Sequence, residues 1–317
     1  MGQGTGRVIC IGGATVDRKY RTKDPIQLRT SNPAASERSF GGVARNVAEN
    51  VARLGAKSAL VSVLGHDENG CAIREDLARL DIDTQHIALS SVHATAEYVA
   101  VLEPDGNLAL GLADMAIFDA ITPCVLQEVW PEISASWVFA DCNIPSGTLH
   151  ELVVRARRHS VMLAVDAVST LKVMRLPRDL KGIDLLFLNL DEAQAFLGNS
   201  NAPPDEVAAR LLGHGAARVV LTLGKGGLIA MDGSGLTRVG AINVQVVDAT
   251  GAGDALIAAT LVALMNGRPL AEAVRMGTMA AALTLESPAS VRPDLSFSLL
   301  ESALEQRSHQ TIGSEFP

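Results

Sequence analysis

Residues 246–255 read Val-Val-Asp-Ala-Thr-Gly-Ala-Gly-Asp-Ala, and a long apolar stretch follows them. The pattern predicts that a strand ends here and that a helix begins after the glycine-rich turn. Gly251, Ala252 and Gly253 carry no bulky side chains, so their N–H groups would lie free at the helix N-terminus. Such a terminus binds anions, including a phosphoryl group in transfer. Asp254 falls in the first turn, where the helix field is expected to keep its carboxylate ionised.

Three other interpretations of this segment were weighed against the anion site. The chain contains no Gly-x-x-x-x-Gly-Lys-Ser/Thr sequence, so the segment is not a Walker A loop. Gly251-x-Gly253 partly matches the dinucleotide fingerprint of oxidoreductases, but Leu256 stands where the third glycine should be. The segment could also be an ordinary glycine-rich turn with a capping Asp, and the rest of the chain must decide.

The composition is that of a globular protein. Of 317 residues, 48% are hydrophobic and only 3% aromatic, so the core must be built mainly from Ala, Val, Leu and Ile. The formal net charge of −8 and the lack of a dense basic cluster beyond 155–159 argue against a nucleic-acid partner. No apolar run approaches the roughly 20 residues of a membrane span, and Met1–Gly6 lacks the features of a signal peptide. Four widely spaced cysteines, three of them inside apolar segments, predict reduced core residues of a cytoplasmic protein: Cys10, Cys71, Cys124 and Cys142.

Apolar runs alternate with helical patterns along most of the chain. Strands are predicted at 7–14, 58–64, 137–142, 161–165, 185–188, 218–223, 227–231 and 236–247, and helices at 43–54, 69–80, 148–158, 191–197, 204–212, 252–265 and 270–285. Buried strands that alternate with helices predict an α/β fold, in which helices cover both faces of a mostly parallel central sheet.

Two segments do not follow this alternation. Residues 18–40 are polar and interrupted by proline, and 95–112 contain the turn Glu103-Pro104-Asp105-Gly106, which predicts a hairpin. Together they could form a small second sheet, or they could be two surface excursions that never meet. If they form a second sheet, the chain is predicted to divide into three parts. These are a large domain of 1–17, 41–94 and 113–307, a β lid of 18–40 and 95–112, and a disordered tail of 308–317.

Two further motifs are suited to binding a sugar. In the segment 40–46 (Phe-Gly-Gly-Val-Ala-Arg-Asn), the glycines allow a ligand to approach the backbone, and Asn46 can both donate and accept hydrogen bonds. Asp17 follows the first strand, at the sheet edge where ligands bind in open parallel sheets, and one carboxylate can accept two vicinal ribose hydroxyls. The alternative for the first motif is glycine N-capping beside a solvated Asn.

Two more segments follow predicted strands: Asn189-Leu190-Asp191-Glu192 and residues 222–227 (Thr-Leu-Gly-Lys-Gly-Gly). Taken alone, a surface Glu or a glycine-rich turn is more often structural than functional. Taken in order with the motifs above, they resemble the ribokinase-like (PfkB-type) carbohydrate kinase family over nearly the whole chain. The matching motifs are Gly41-Gly42 with Asn46, Gly65-x-Asp67-x-x-Gly70, Asn189-x-x-Glu192, Thr222-x-Gly224 and Asp248-x-Thr250-Gly-Ala-Gly-Asp254.

The resemblance implies a ribokinase-like fold with a small β-sheet lid, and activity with ATP and Mg²⁺. It implies Asp254 as the catalytic base beside the anion site formed by Gly251, Ala252 and Gly253. The implied contacts to the sugar are Asp17, Gly41, Gly42, Asn46 and Asp254. The implied contacts to the nucleotide are Asn189, Thr222, Gly224, Gly227, Gly251 and Gly253. The implied metal ligands are Glu192, which binds Mg²⁺ through water, and Asp248 and Thr250, which bind a monovalent cation, with K⁺ as the candidate. A homodimer clasped through the lid is also implied.

Several segments resemble one subgroup, the pseudouridine kinases: 31–33, 41–50, 140–144 and 166–172. This implies phosphorylation of the 5′-hydroxyl of pseudouridine, with Asn32, Asn143 and Lys172 around the base. Ribokinases usually carry Lys where this chain has Val43 and Glu where it has Asn143, which argues against free ribose. Ala167 and Arg292 depart from the subgroup, which usually has Pro and Asn there. The alternatives are a kinase of another nucleoside or sugar (adenosine, ribose or fructose type) and a catalytically silent nucleoside-binding regulatory protein.

Overall fold

The structure is a computed structural model that describes residues 6–130, 137–198 and 201–313, and the side chains only as far as 306. The strands are β1 (Arg7–Ile11), β2 (Thr15–Thr22), β3 (Ala34–Gly41), β4 (Lys57–Gly65), β5 (Ile87–Ser90), β6 (Glu97–Leu102), β7 (Leu108–Asp114), β8 (Trp137–Asp141), β9 (Leu163–Asp166), β10 (Leu185–Asn189), β11 (Arg218–Thr222), β12 (Leu228–Asp232) and β13 (Gly235–Val239). The helices are α1 (Val43–Arg53), α2 (Glu68–Arg79), α3 (Pro123–Val129), α4 (Ser146–His159), α5 (Leu190–Phe196), α6 (Pro204–Gly213), α7 (Ala252–Met265), α8 (Leu270–Leu285) and α9 (Phe297–Gly313).

Nine of these strands form the central sheet, in the order β13-β12-β11-β10-β9-β8-β1-β4-β5. All neighbouring pairs from β11 to β5 are parallel, and only β12 and β13 at one edge run antiparallel. Alternate residues of β1 point to opposite faces: Val8 and Cys10 pack with α1, α7 and α8, whereas Ile9 and Ile11 pack with α4, α5 and α6. The predicted α/β fold, with helices on both faces of a mostly parallel sheet, is confirmed.

The strand order reverses direction between β1 and β8. From β1 the chain builds outward through β4 and β5, and it then returns to β8 and builds the other way through β9, β10 and β11. Ligands of open parallel sheets bind in the crevice outside the carboxyl ends of the strands at such a switch point. The fold therefore places a binding crevice beyond the ends of β1 and β8.

The two irregular segments meet in a separate sheet of four strands, in the order β3-β2-β6-β7. The parallel pairing of β2 with β6 joins them, with Asp17 opposite Tyr98. The predicted small sheet is therefore present, and the alternative of two separate excursions is wrong. Because β2 already begins at Thr15, Asp17 lies on this lid sheet. The domain boundaries given above stay a prediction.

Some local predictions differ from the structure. The last strand of the central sheet stops at Val239, not at residue 247, because its antiparallel partner β12 begins at Leu228, the residue opposite Val239. Helix α9 runs to Gly313, into the segment predicted as a tail, and residues 314–317 lie outside the described part. All four cysteines are free thiols, but Cys71 and Cys124 are exposed, so only Cys10 and Cys142 are core residues. Within the described ranges, no helix has both the length and the apolarity to cross a lipid bilayer.

The buried carboxylate of Asp141 fixes the geometry at the switch point. Its Oδ2 accepts the N–H groups of Gly13, just after β1, at 3.0 Å and of Ala44, in the first turn of α1, at 2.9 Å. Its Oδ1 accepts the N–H of Asn143 at 2.9 Å. A Cβ on Gly12 would lie 2.4 Å from the carboxylate carbon, so only glycine fits there. One side chain therefore joins the ends of β1 and β8 to the start of α1.

We expect Asp141→Asn to lower the free energy of unfolding by roughly 3 kcal/mol, because an amide NH₂ would face a backbone N–H at a fully buried site. Urea denaturation measures the change. The control is Asp205→Asn, whose ion pair with Arg238 is about half exposed, so we expect a change below about 0.5 kcal/mol. A loss below about 1 kcal/mol for Asp141→Asn would contradict this role for the carboxylate.

Candidate active site

The predicted site residues lie along the carboxyl ends of the parallel strands. In the sheet register Asp141 pairs with Asp166, and Asn189 pairs with Thr222, so these four side chains follow one another along a single edge. Helix α7 begins near this edge. Ligands of open parallel sheets bind at this edge, and two of the predicted site residues, Asn189 and Thr222, lie on it.

The start of α7 has the geometry of an anion site. Gly251 has φ +80°, and a Cβ there would lie 1.8 Å from the carbonyl oxygen of Ser290, so no other residue fits without a shift. Nothing lies within 4 Å of the position that a Cβ on Gly253 would take. The N–H of Ala255 donates to the carbonyl of Gly251 at 2.9 Å, so the N–H groups before it precede the first hydrogen bond of the helix. An approaching anion would find open space and unused donors here.

Asp254 lies next to Asn46, whose Nδ2 donates to its Oδ2 at 2.8 Å. Burial raises the pKa of Asp254 to about 7; the Asn46 hydrogen bond opposes this rise, and the charges of Asp141 and Asp17 add to it. In the free protein, burial therefore acts against the ionised form that the helix field favours. A carboxylate with a pKa near neutral pH is a better proton acceptor than an exposed one.

Arg45, which sequence reasoning did not assign to the site, orients Asn46. Its Nη1 donates to Asn46 Oδ1 at 3.0 Å, so the NH₂ group of the amide is turned towards Asp254. Arg45 is buried and is itself held by ion pairs with Glu49 and Asp76. The sequence contained a signal for this role: Arg45 precedes the candidate Asn46, and Glu49 follows Arg45 by four residues, which is the spacing of an ion pair on a helix.

Asp17 reaches the same region from the lid sheet. Thr15 Oγ1 donates to its Oδ1 at 2.9 Å, and a Cβ on Gly41 would come within 2.2 Å of its Oδ2, so Gly41 is needed for this close packing. Burial raises the pKa of Asp17. Gly42, with φ +94°, lies just before α1, and a Cβ there would be 2.4 Å from the carbonyl oxygen of Gly13. Asp17, Gly41, Gly42, Asn46 and Asp254 are thus brought together.

Asn143 and Lys172 form a second polar group, just beyond β8. The ammonium of Lys172 donates to Asn143 Oδ1, and the Asn143 side chain is buried. Arg175 donates to the backbone carbonyls of residues 142–144 and holds this turn in place. Burial lowers the pKa of Lys172. A Cβ on Gly13 would lie 3.2 Å from Asn143 Nδ2, so the pair borders the switch-point crevice.

Asn32 is not brought to these residues. Its Oδ1 accepts the N–H of Gln27 at 2.8 Å, and its Nδ2 donates to the carbonyls of Gln27 and Thr30. All of these contacts lie within the loop between β2 and β3, where the side chain closes a local turn. A role for Asn32 on the substrate stays a prediction that would need this loop to rearrange.

Most of the residues predicted to contact the nucleotide lie at or just after the carboxyl ends of β10 and β11. Asn189 and Glu192 form a capping box at the start of α5: Glu192 N–H donates to Asn189 Oδ1 at 2.9 Å, and Asn189 N–H donates to Glu192 Oε2 at 2.8 Å. Thr222 ends β11, and Gly224, with φ +57°, has open space where a Cβ would lie. Gly227, another predicted nucleotide contact, is also required by the packing, because a Cβ there would lie 2.1 Å from the carbonyl oxygen of Val239.

The carboxylates of this region could take part in holding a magnesium ion. Burial raises the pKa of Asp166 well above its usual range, and the charges of Glu192, Asp254 and Asp141 raise it further. Across the described part of the chain, no three His, Cys, Asp or Glu side chains form a ready-made metal cage. Mg²⁺ needs none, since it keeps several waters and binds phosphate oxygens with one or two carboxylates. The residues present therefore fit Mg²⁺ held through water by Glu192, with Asp166 near it.

Asp248 has contacts that the sequence did not predict. Its Oδ1 accepts the N–H of Thr250 at 2.8 Å, and its Oδ2 forms an ion pair with Lys19 of β2. Burial acts to raise the pKa of Asp248, but these hydrogen bonds and the charge of Lys19 outweigh it and lower the pKa. The two residues assigned to a monovalent-cation site are thus joined to each other and to the lid sheet.

The fold and this site define a phosphotransferase that acts on a hydroxyl group of a sugar or nucleoside, and comparison with known proteins gives its family. The pattern of the pfkB family carbohydrate kinases matches residues 5–295, so the chain belongs to that family, whose members use ATP and typically a divalent metal.

Three similar proteins cover nearly all of the chain. The pseudouridine kinase of Escherichia coli (strain K12) is 31% identical over 303 residues, which cover 94% of this chain and 96% of that protein. The guanosine-inosine kinase of Exiguobacterium acetylicum is 26% identical over 288 residues, covering 89% and 95%. Among solved structures, a carbohydrate kinase from Agrobacterium tumefaciens is 30% identical, with a TM-score of 0.84 and coverage of 94% and 96%.

We predict that kcat/KM rises with pH by about tenfold per unit below the Asp254 pKa and levels off above it, because only the deprotonated carboxylate can accept a proton. The inflection should lie near the free-protein pKa of about 7. Asp254→Asn should lose roughly 10²–10⁴-fold in kcat and lack this inflection.

The matched control is Glu272→Gln in the first turn of α8, a residue about half exposed, which should keep the wild-type profile. If folded Asp254→Asn kept more than about a tenth of wild-type turnover, Asp254 would not be the base.

Proposed function

We propose that the protein transfers the γ-phosphoryl group of ATP to the 5′-hydroxyl of pseudouridine. The observation that carries the choice of nucleoside is the contact between buried Asn143 and half-buried Lys172 beside the switch-point crevice, a polar pair of the kind needed to recognise a base. The similarity to the E. coli pseudouridine kinase supports the same choice.

In this proposal the ribose lies between the lid sheet and α1. Asp17 accepts hydrogen bonds from the two vicinal hydroxyls, and Asn46 contacts the sugar while it also holds Asp254. The close packing of Gly41 on Asp17 and of Gly42 on Gly13 leaves backbone, not side chains, at the floor of this region. The 5′-hydroxyl is then directed towards Asp254 and the start of α7.

Phosphoryl transfer needs positioning and charge stabilisation more than covalent chemistry. The N–H groups at the start of α7 stabilise the transferring group, and Asp254 orients the hydroxyl and takes its proton as the new bond forms. Asn189, Thr222, Gly224 and Gly227 line the nucleotide side. When bound, Mg²⁺ supplies positive charge to the ATP phosphates, and Glu192 holds its water with Asp166 nearby.

Discrimination between nucleosides must come from the base, because uridine and pseudouridine share the same ribose. Pseudouridine is joined through carbon, so its ring presents an additional N–H where uridine has only C–H. The Oδ1 of Asn143 is a buried acceptor at present held by Lys172, and it could turn to accept that N–H. A buried acceptor left unpaired by the wrong ligand can reject it strongly.

We expect kcat/KM for pseudouridine to exceed that for uridine by at least about 10²-fold. This ratio is smaller than a fully dry site can reach, because a bridging water could partly satisfy the Asn143 acceptor when uridine is bound. An ATP-consumption assay with pseudouridine, uridine, guanosine, adenosine, ribose and fructose measures it. Asn143→Ala should reduce the ratio, whereas Asn266→Ala, at the exposed far end of α7, should not. Similar rates for both pyrimidine nucleosides, or a preference for another acceptor, would reject pseudouridine but not the kinase activity.

The lid sheet supports a further proposal, a homodimer clasped through residues 18–40 and 95–112. Strand β7 is the sheet edge, and Leu108, Leu110 and Leu112 on one of its faces are each more than half exposed. Exposed edges with apolar side chains are prone to association unless a partner covers them.

We expect light scattering to show a dimer at micromolar concentration, and Leu110→Lys to shift it towards monomer because a buried charge would oppose the contact. The control is Val154→Lys on α4, where the valine is equally exposed but far from the lid sheet. A wild-type monomer, with or without nucleoside, would contradict the proposed dimer.

A further inference from the structure

Lys19 connects the lid sheet to the loop that leads into the anion site. It lies on β2 two residues after Asp17, so both side chains extend from the same face of the strand. Its ammonium forms an ion pair with Oδ2 of Asp248, a residue 229 positions further along the chain. The side chains of Lys19 and Asp248 are only 31% and 22% exposed, so water screens this pair less than a surface pair.

The same carboxylate fixes the turn before α7. Asp248 Oδ1 accepts the N–H of Thr250, and the next residue, Gly251, is packed against the Ser290 carbonyl in a conformation that only glycine adopts readily. The path of the chain into the first turn of α7 therefore depends on how Asp248 is held. Lys19 holds it from the lid side.

The family resemblance assigns a monovalent cation to Asp248 and Thr250, and this arrangement does not fit one. Each oxygen of Asp248 already accepts a hydrogen bond, its charge is balanced by the Lys19 ammonium, and Thr250 gives it a backbone N–H. Monovalent cations bind oxygen ligands, and an ammonium group at the carboxylate competes for the same charge.

We propose that Lys19 supplies the positive charge at Asp248 that a bound monovalent cation would otherwise supply, so that this kinase needs no K⁺. Lys19 is a positioning residue in this proposal: it holds the Asp248–Thr250 turn and, through it, the start of α7. The inference uses the kinase activity of the family and does not depend on which nucleoside is the acceptor.

The experiment compares wild type with Lys19→Met, which keeps the length of the side chain and removes its charge, and with Lys19→Arg, which keeps the charge. Lys23→Met is the matched control, because Lys23 lies one residue beyond β2 and is exposed. Each protein is studied in KCl, NaCl and choline chloride at equal ionic strength. Three quantities are measured: Tm without any substrate, the initial rate with saturating ATP and the best acceptor, and the KM for ATP.

Wild type, Lys19→Arg and Lys23→Met should each show the same Tm in the three salts and less than about twofold activation by K⁺. Lys19→Met should lose about tenfold in rate in choline chloride and should gain both Tm and rate when K⁺ replaces choline, since the vacated site can then bind the ion. Because Tm needs no substrate, this result is separable from any failure of the pseudouridine assignment.

Two outcomes would overturn the proposal. A K⁺-specific rise in Tm or rate for the wild type would show that the ion binds while Lys19 is present. A Lys19→Met protein with a raised KM for ATP and no cation response would show that Lys19 contacts phosphate instead. Asp248→Asn combined with Lys19→Met should be no worse than the more affected single variant, because the two side chains act as one pair.

Discussion

The site depends on the carboxylate of Asp141, which brings three segments of the chain to one point. The end of β1, the start of α1 and the turn after β8 each give it a backbone N–H that would otherwise be unpaired in the interior. Because this contact fixes the first turn of α1 at Ala44, it also fixes Asn46, two residues further along. The Asn46–Asp254 hydrogen bond then follows from the packing of α1 against α7.

Several buried carboxyl groups lie near one another at this edge of the sheet in the free protein. Asp141, Asp166 and Asp254 are all buried enough for burial to raise their pKa values, and each of the last two is raised further by neighbouring carboxylates. Such a site favours binding of protons and cations. In the proposed function, a chain with a net charge of −8 accepts a nucleotide because the amides of α7 would attract the phosphates locally and the carboxylates would receive a metal ion and the proton.

The sequence predicted the elements whose signals are local. Helices α7 and α8 have the predicted bounds, because a glycine turn or a proline starts each and an uninterrupted apolar pattern continues it. The residues missed are those whose roles depend on distant partners. Asp141 contacts Gly13 across 128 positions, and Lys19 contacts Asp248 across 229, and no periodicity marks such pairs. Val246 and Val247 were wrongly predicted to lie in the last strand. Their local pattern suits a strand, but the sheet offers them no partner and they are exposed.

The lid sheet is coupled to the Asp141 contact at the switch point, because the chain between them is short. Only three residues, 12–14, separate β1 from β2, and Asp141 binds the middle one. Asp17, the proposed sugar contact, and Lys19, which pairs with Asp248, follow within five residues on one strand face. A movement of β2 would therefore change the sugar contact and the charge at Asp248 together, while Asp141 holds the pivot. In the proposed function, binding of a nucleoside at Asp17 and ordering of the anion site would then be coupled, because the same strand carries both contacts.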